Sequence, residues 1–140
     1  MQRRHKHIAS RGLGIGTLSA RSEVNVETIR YYERIGIMPK PPRTGGGHRA
    51  YDAEHLRRLV FIRRSRELGF PLDEVRDLLR LADGGGYTCG EVREMALTQV
   101  ADIRRKIADL RRMERVLKEM AAKCSGGDVP ECPILAALSE

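Results

Sequence analysis

Between Cys89 and Ala122 the chain runs without a proline, and without a glycine after Gly90. A stretch of that length with no breaker reads as one continuous helix. With Val100 at heptad position a, the a sites fall on Val100, Ile107, Glu114 and Ala121. The d sites fall on Ala96, Ile103, Leu110 and Leu117. All but Glu114 are apolar, so the helix carries a coiled-coil seam with one flaw. Met113, Val116 and Met120 widen the stripe toward its end. A helix this long outgrows what a small domain can cover, so a partner helix is expected. The simplest partner is a second copy of the chain, paired antiparallel in a two-stranded coil.

The remaining residues have little aromatic material for a core. The 140 residues contain no Trp, two Phe and four Tyr, so the interior must be aliphatic and modest in size. No apolar run approaches the roughly 18 residues that would suggest a membrane span. Residues 1–13 are basic and lack an apolar stretch after them, which reads as a flexible basic arm rather than a secretory leader. The expected address is the cytoplasm, where thiols stay reduced. Net charge is +7 and unevenly placed. Residues 1–80 hold 17 Lys+Arg against 9 Asp+Glu, whereas residues 81–140 hold 9 against 10. A basic front and a near-neutral back suggest that the front half meets a polyanion.

The front half has the pattern for it. TLSARSE, residues 17–23, reads as a short helix. A break at Val24-Asn25 follows, then VETIRYYERIG over 26–36 with Val26, Ile29 and Ile35 on one side and Gly36 as a stop. Two short helices joined by a tight turn make a helix-turn-helix. Thr28, Arg30, Tyr31 and Arg34 lie off the apolar face of the second helix, where they can reach phosphates and base edges in a major groove. The next segment, IMPKPPRTGGGHRAYD, has too many prolines and glycines for a helix. It is expected to form a small β-hairpin wing lined by Arg43, His48, Arg49 and Tyr51, set against a phosphate backbone.

Asp52 is expected to cap a helix running to Gly69. Leu56, Leu59, Val60, Phe61 and Ile62 supply its apolar side, and Arg57, Arg58, Arg63, Arg64 and Arg66 load the rest. Another helix begins near Pro71, a favoured first-turn residue, with Leu72, Val75, Leu78, Leu79 and Leu81 facing the core. Gly84-Gly85-Gly86 mark a hinge. The expected organisation is a mainly α chain. A winged helix-turn-helix DNA-binding domain over 14–83 precedes a dimerisation helix over 88–122. A metal-binding loop with a short terminal helix fills 123–140.

The loop is read from its cysteines. Cys89 and Cys124 stand 35 residues apart, about 50 Å along a continuous helix, and cannot share an ion within one chain. In an antiparallel pair, Cys89 of one subunit meets Cys124 and Cys132 of its partner. Gly126, Gly127 and Pro130 allow the intervening loop to fold back. All four histidines, His5, His7, His48 and His55, lie in the front half, so the site offers sulfur and selects soft ions. Mercury(II) accepts two or three thiolates and fits on ligand count. Cadmium and lead follow, and zinc needs Asp128 or water as a fourth ligand. A regulatory disulfide between Cys124 and Cys132 is the alternative, which would make the chain a thiol redox sensor. Neither a general base nor an activated nucleophile is visible, so an enzyme is not expected.

These residues resemble the MerR family of bacterial transcription regulators. The resemblance lies in IGTLSARSEVNVETIRYYERIGI, in RTGGGHRAYD and in FIRRSRELGFPLDEVRDLLRL. It extends through ADLRRMERVL and CPILAAL to the metal-sensing branch, over about nine-tenths of the chain. It implies a homodimer on a palindromic operator within an overlong promoter spacer. Such a dimer holds the promoter poorly transcribed without metal, and distorts the DNA so that RNA polymerase can read it with metal. It implies DNA contacts from Arg30, Tyr31, Arg49 and Tyr51, with Thr28 on a phosphate. A cysteine matching Cys89 implies a sensor of divalent ions. The Cys89 to Cys124 interval is similar to that of mercury regulators. The Cys124 to Cys132 interval is one residue shorter, as in copper-type members. The second cysteine and the histidine of zinc-type members are missing.

Overall fold

The computed structural model describes residues 12–42, 50–124 and 134–139. The chain divides into two compact units, Met1–Asp83 and Gly84–Glu140. Among the described residues the regular structure is helical, with one isolated antiparallel bridge between Leu13 and Tyr51.

The first unit holds four helices: α1 (Ile15–Ser22), α2 (Val26–Arg34), α3 (Ala53–Glu67) and α4 (Leu72–Asp83). The turn between α1 and α2 is built from local chemistry. Glu23 ends α1 in the left-handed region at φ 61°, with its N–H donating to Ser19 O at 2.9 Å. The Ser22 hydroxyl accepts from the Val24 N–H. Asn25 then caps α2, its Oδ1 accepting from the Thr28 N–H at 2.8 Å. Replacing Asn25 with Ala should cost about 1 kcal/mol, read as a lower urea midpoint for this unit, whereas Asn25→Asp should be nearly neutral.

Leu18, Ile29, Ile37, Met38, Leu59, Ile62 and Val75 are fully or almost fully buried. They form the aliphatic interior expected of a chain so poor in aromatics. Two arginines of α3 pin this core from its edges. Arg63 Nε donates to Ser22 O at 2.8 Å, and its guanidinium reaches Glu67 and Glu23. Arg58 Nε donates to Ile37 O at 2.9 Å, with its fork on the Asp83 carboxylate at 2.8 and 3.3 Å. The sequence places both off the apolar side of α3, among the arginines that load the rest of the helix. In the structure each ties together segments more than 20 residues apart in sequence. Phe61, expected in the core, is 41% exposed.

Asp52 caps α3 as the pattern predicts, through a reciprocal box in which Asp52 accepts from the His55 N–H and His55 Nδ1 faces the Asp52 N–H. The His55 N–H bond holds the Asp52 carboxyl below its ordinary value. Most of the wing, residues 43–49, lies outside the described residues. Its root is described. Leu13 N–H donates to Tyr51 O at 2.6 Å, Tyr51 N–H to Leu13 O at 2.9 Å, and Ala50 N–H to Pro42 O at 3.1 Å. Leu13, expected in the arm, therefore belongs to the folded unit. Gly12 leaves it at φ 69°, so near Ala50 that an added Cβ would sit 2.6 Å from the Ala50 Cβ. No larger residue fits there without displacing that strand-like segment.

The second unit contains α5 (Cys89–Lys123, 35 residues) and α6 (Ile134–Leu138), which lies against α5. Thr88 caps α5 with Glu91 in a capping box, and the Thr88 N–H lowers the Glu91 carboxyl below its usual range. The seam is uncovered in the single chain. Val100, Ile103, Ile107, Leu110 and Leu117 are all exposed, Leu110 by 62%. An apolar stripe of that length is far more than a scattering of surface leucines.

Candidate nucleic-acid interface and metal centre

The second helix of the helix-turn-helix presents a polar, cationic side. Arg30 and Arg34 are exposed and Thr28 is half-buried. Tyr31 is 42% exposed, and the Arg34 guanidinium carbon stands 5.7 Å from the centre of its ring. On the other side of α2, Ile29, Tyr32 and Glu33 are buried. Burial raises the Tyr32 phenol above its ordinary value, partly opposed by Arg66. Thr28, Arg30 and Tyr31 thus share one helix and leave their side chains accessible. Arg43, His48 and Arg49 lie outside the described residues.

Tyr51 stands elsewhere. It is 0% exposed, its hydroxyl donates to Glu33 Oε2 at 2.6 Å, and its ring meets the His55 ring edge-on. A side chain with no accessible surface cannot touch a nucleic acid, so the expected DNA contact is corrected to a core role. The residue locks the wing root to α2. Glu33 was missed as a structural residue, because a glutamate in a charged helix is ordinarily solvated. No local signal in the sequence marks it.

In the second unit, Cys89 opens α5 and Cys124 follows its last turn, and both thiols are exposed. The Cys124 N–H still bonds to Met120 O and Ala121 O. The 35 helical residues between them separate the two positions by about 50 Å. Cys132 and the loop before it lie outside the described residues. Among the described residues of one chain, no three His, Cys, Asp or Glu side chains come together as a metal-holding group. The two described thiols are nevertheless accessible, and each sits at a helix end from which a second chain can be met.

An arginine-bearing recognition helix on a helix-turn-helix unit, joined to a long exposed-seam helix, defines a DNA-binding regulator rather than an enzyme. Residues 13–82 match the MerR HTH family regulatory protein pattern, and residues 56–120 match the MerR, DNA binding pattern. The chain belongs to the MerR family of transcription regulators. It is 43% identical over 125 residues to the mercuric resistance operon regulatory protein of Bacillus cereus, covering 89% of this chain and 95% of that one. It is 42% identical to the HTH-type transcriptional regulator HmrR of Rhizobium leguminosarum bv. viciae, covering 91% of this chain and 98% of that one. Among solved structures it is similar to the transcription regulator PbrR691 of Ralstonia metallidurans CH34 in complex with lead(II). That likeness has a TM-score of 0.53 at 40% identity, over 90% of this chain and 98% of the other. Among the described residues no helix is long and apolar enough to cross a membrane.

Proposed function

We propose that the chain is a mercury(II)-responsive regulator that acts on promoter DNA as an antiparallel homodimer. The observation that carries this reading is the pair of exposed thiols at opposite ends of one 35-residue helix whose apolar seam is uncovered. Antiparallel pairing covers the seam and brings the start of one helix beside the end of the other. Cys89 of one subunit then joins Cys124 and Cys132 of its partner, a donor set of three sulfurs suited to a soft ion. Thr28, Arg30 and Tyr31, with Arg43, His48 and Arg49 of the wing segment, bind the operator. Occupancy of the thiolate site changes the shape imposed on the promoter, which RNA polymerase then reads. The similarity to the Bacillus cereus mercuric resistance regulator supports mercury. A lead(II)-responsive regulator is a second reading, favoured by the likeness to the lead-bound PbrR691 structure.

Titrating the reduced dimer with mercury(II) should raise a sulfur-to-metal charge-transfer band that saturates at one ion per thiolate triad. A reporter driven by the operator-bearing promoter should respond to mercury(II) at lower free concentration than to lead(II), cadmium(II) or zinc(II). A lower threshold for any of those ions would reassign the inducer. Induction by peroxide in the absence of metal would instead favour a redox sensor.

A further inference from the structure

The Arg58 guanidinium makes contacts beyond what a surface arginine needs. It is mostly buried, with its side chain 21% exposed. Its Nε binds Ile37 O at 2.9 Å, and its two terminal nitrogens grip both oxygens of Asp83. Planar two-point grips of this kind fix direction as well as distance.

What the two partners are attached to gives the contact its meaning. Ile37 belongs to the turn leaving the recognition helix. Its N–H bonds to Tyr32 O at 3.0 Å, the Met38 N–H bonds to the same carbonyl at 3.1 Å, and both side chains are buried. That turn cannot shift without disturbing the last turn of α2, which carries Tyr31 and Arg34. Asp83 is the last residue of α4. It is followed directly by Gly84-Gly85-Gly86, in which Gly84 and Gly86 take left-handed φ values of 64° and 77°. An added Cβ at any of the three would meet nothing within 4 Å. Gly84 and Gly86 therefore answer to backbone conformation, not packing. The three glycines form the covalent link between α4 and the second unit.

We infer that Arg58 is a positioning residue that couples the end of α4, where movement of the sensing unit arrives, to the recognition helix through Ile37 and Tyr32. If Asp83 moves by more than hydrogen-bond slack, the fork either drags the guanidinium, and with it the Ile37 turn, or releases it. Either outcome changes the set of α2 on the DNA. This inference rests on the metal-responsive reading and adds the route by which the response is delivered.

The test measures coupling separately from folding. Asp83 is more than half exposed, so Asp83→Ala should leave thermal stability and metal-free operator affinity within about twofold of the parent. It should lower the ratio of mercury-induced to uninduced reporter transcription by roughly threefold to tenfold. Arg58→Lys keeps the charge, loses the fork and should lower that ratio likewise. The double variant should fall no further than the worse single one, because both act through one contact. An unchanged ratio in Asp83→Ala overturns the coupling. So does an additive double variant, or a drop fully explained by weaker metal-free binding. A parent protein silent to mercury(II) and the other ions would overturn the metal-responsive reading and the coupling with it. A responsive parent with a fully responsive Asp83→Ala would overturn the coupling alone.

Discussion

Mixed dimers of a Cys89→Ser subunit and a Cys124→Ser subunit should regain metal binding that neither variant shows alone. If the site is shared between chains, each pure variant lacks one thiolate at both ends of its dimer. Its affinity should fall by at least about 10–100-fold, the loss that even outer-shell partners inflict on metal sites. In the mixed dimer one end combines both mutations while the other keeps all three sulfurs. The charge-transfer band should therefore return at half the parental stoichiometry, with reporter response recovered in part. The prediction depends on α5 being one unbroken helix, because a break would let Cys89 fold back toward Cys124 of its own chain. Mixed dimers that bind no better than the pure variants would show that the three thiols do not meet across subunits.

Replacing Tyr51 with Phe should destabilise the DNA-binding unit by roughly 1–3 kcal/mol, the cost of leaving a buried polar group without one of its partners. The ring would still fill its space against His55, so the loss isolates the hydroxyl bond to Glu33. Urea unfolding followed by a probe in this unit measures it. Operator affinity per folded molecule should stay within about twofold of the parent. A large loss of affinity with an unchanged urea midpoint would return Tyr51 to the DNA surface. Arg30→Ala makes the contrast: it should weaken binding and flatten the salt dependence, since an exposed arginine on α2 supports little of the core.

The elements of this fold are legible in the sequence because each is announced by local rules. Asn25 and Asp52 sit where caps belong, glycines stop α2 and α3, and α5 lacks any breaker. Pairwise uses of charged and aromatic residues are not legible. Tyr51 looked like a wing contact because HRAY follows a glycine turn, yet burial against Glu33 depends on a neighbour 18 residues away in sequence. Arg58 and Arg63 are two of five arginines on α3, and nothing in their spacing separates those that bridge segments from those that face water. Cys89 and Cys124 were legible as ends of a helix. Their meeting depends on a second chain, and Cys132 lies outside the described residues.

The uncovered seam of α5 also bears on how the protein is made. The first unit has its own buried interior, so a newly synthesised chain can fold that part alone. If the long helix hides its leucines and isoleucines against another copy, as proposed, its completion is a second-order event in protein concentration. At very low expression, chains with a finished DNA reader and an unfinished sensor would accumulate, exposed to proteases and to one another. Copy number would then set how much of the protein can answer a signal at all.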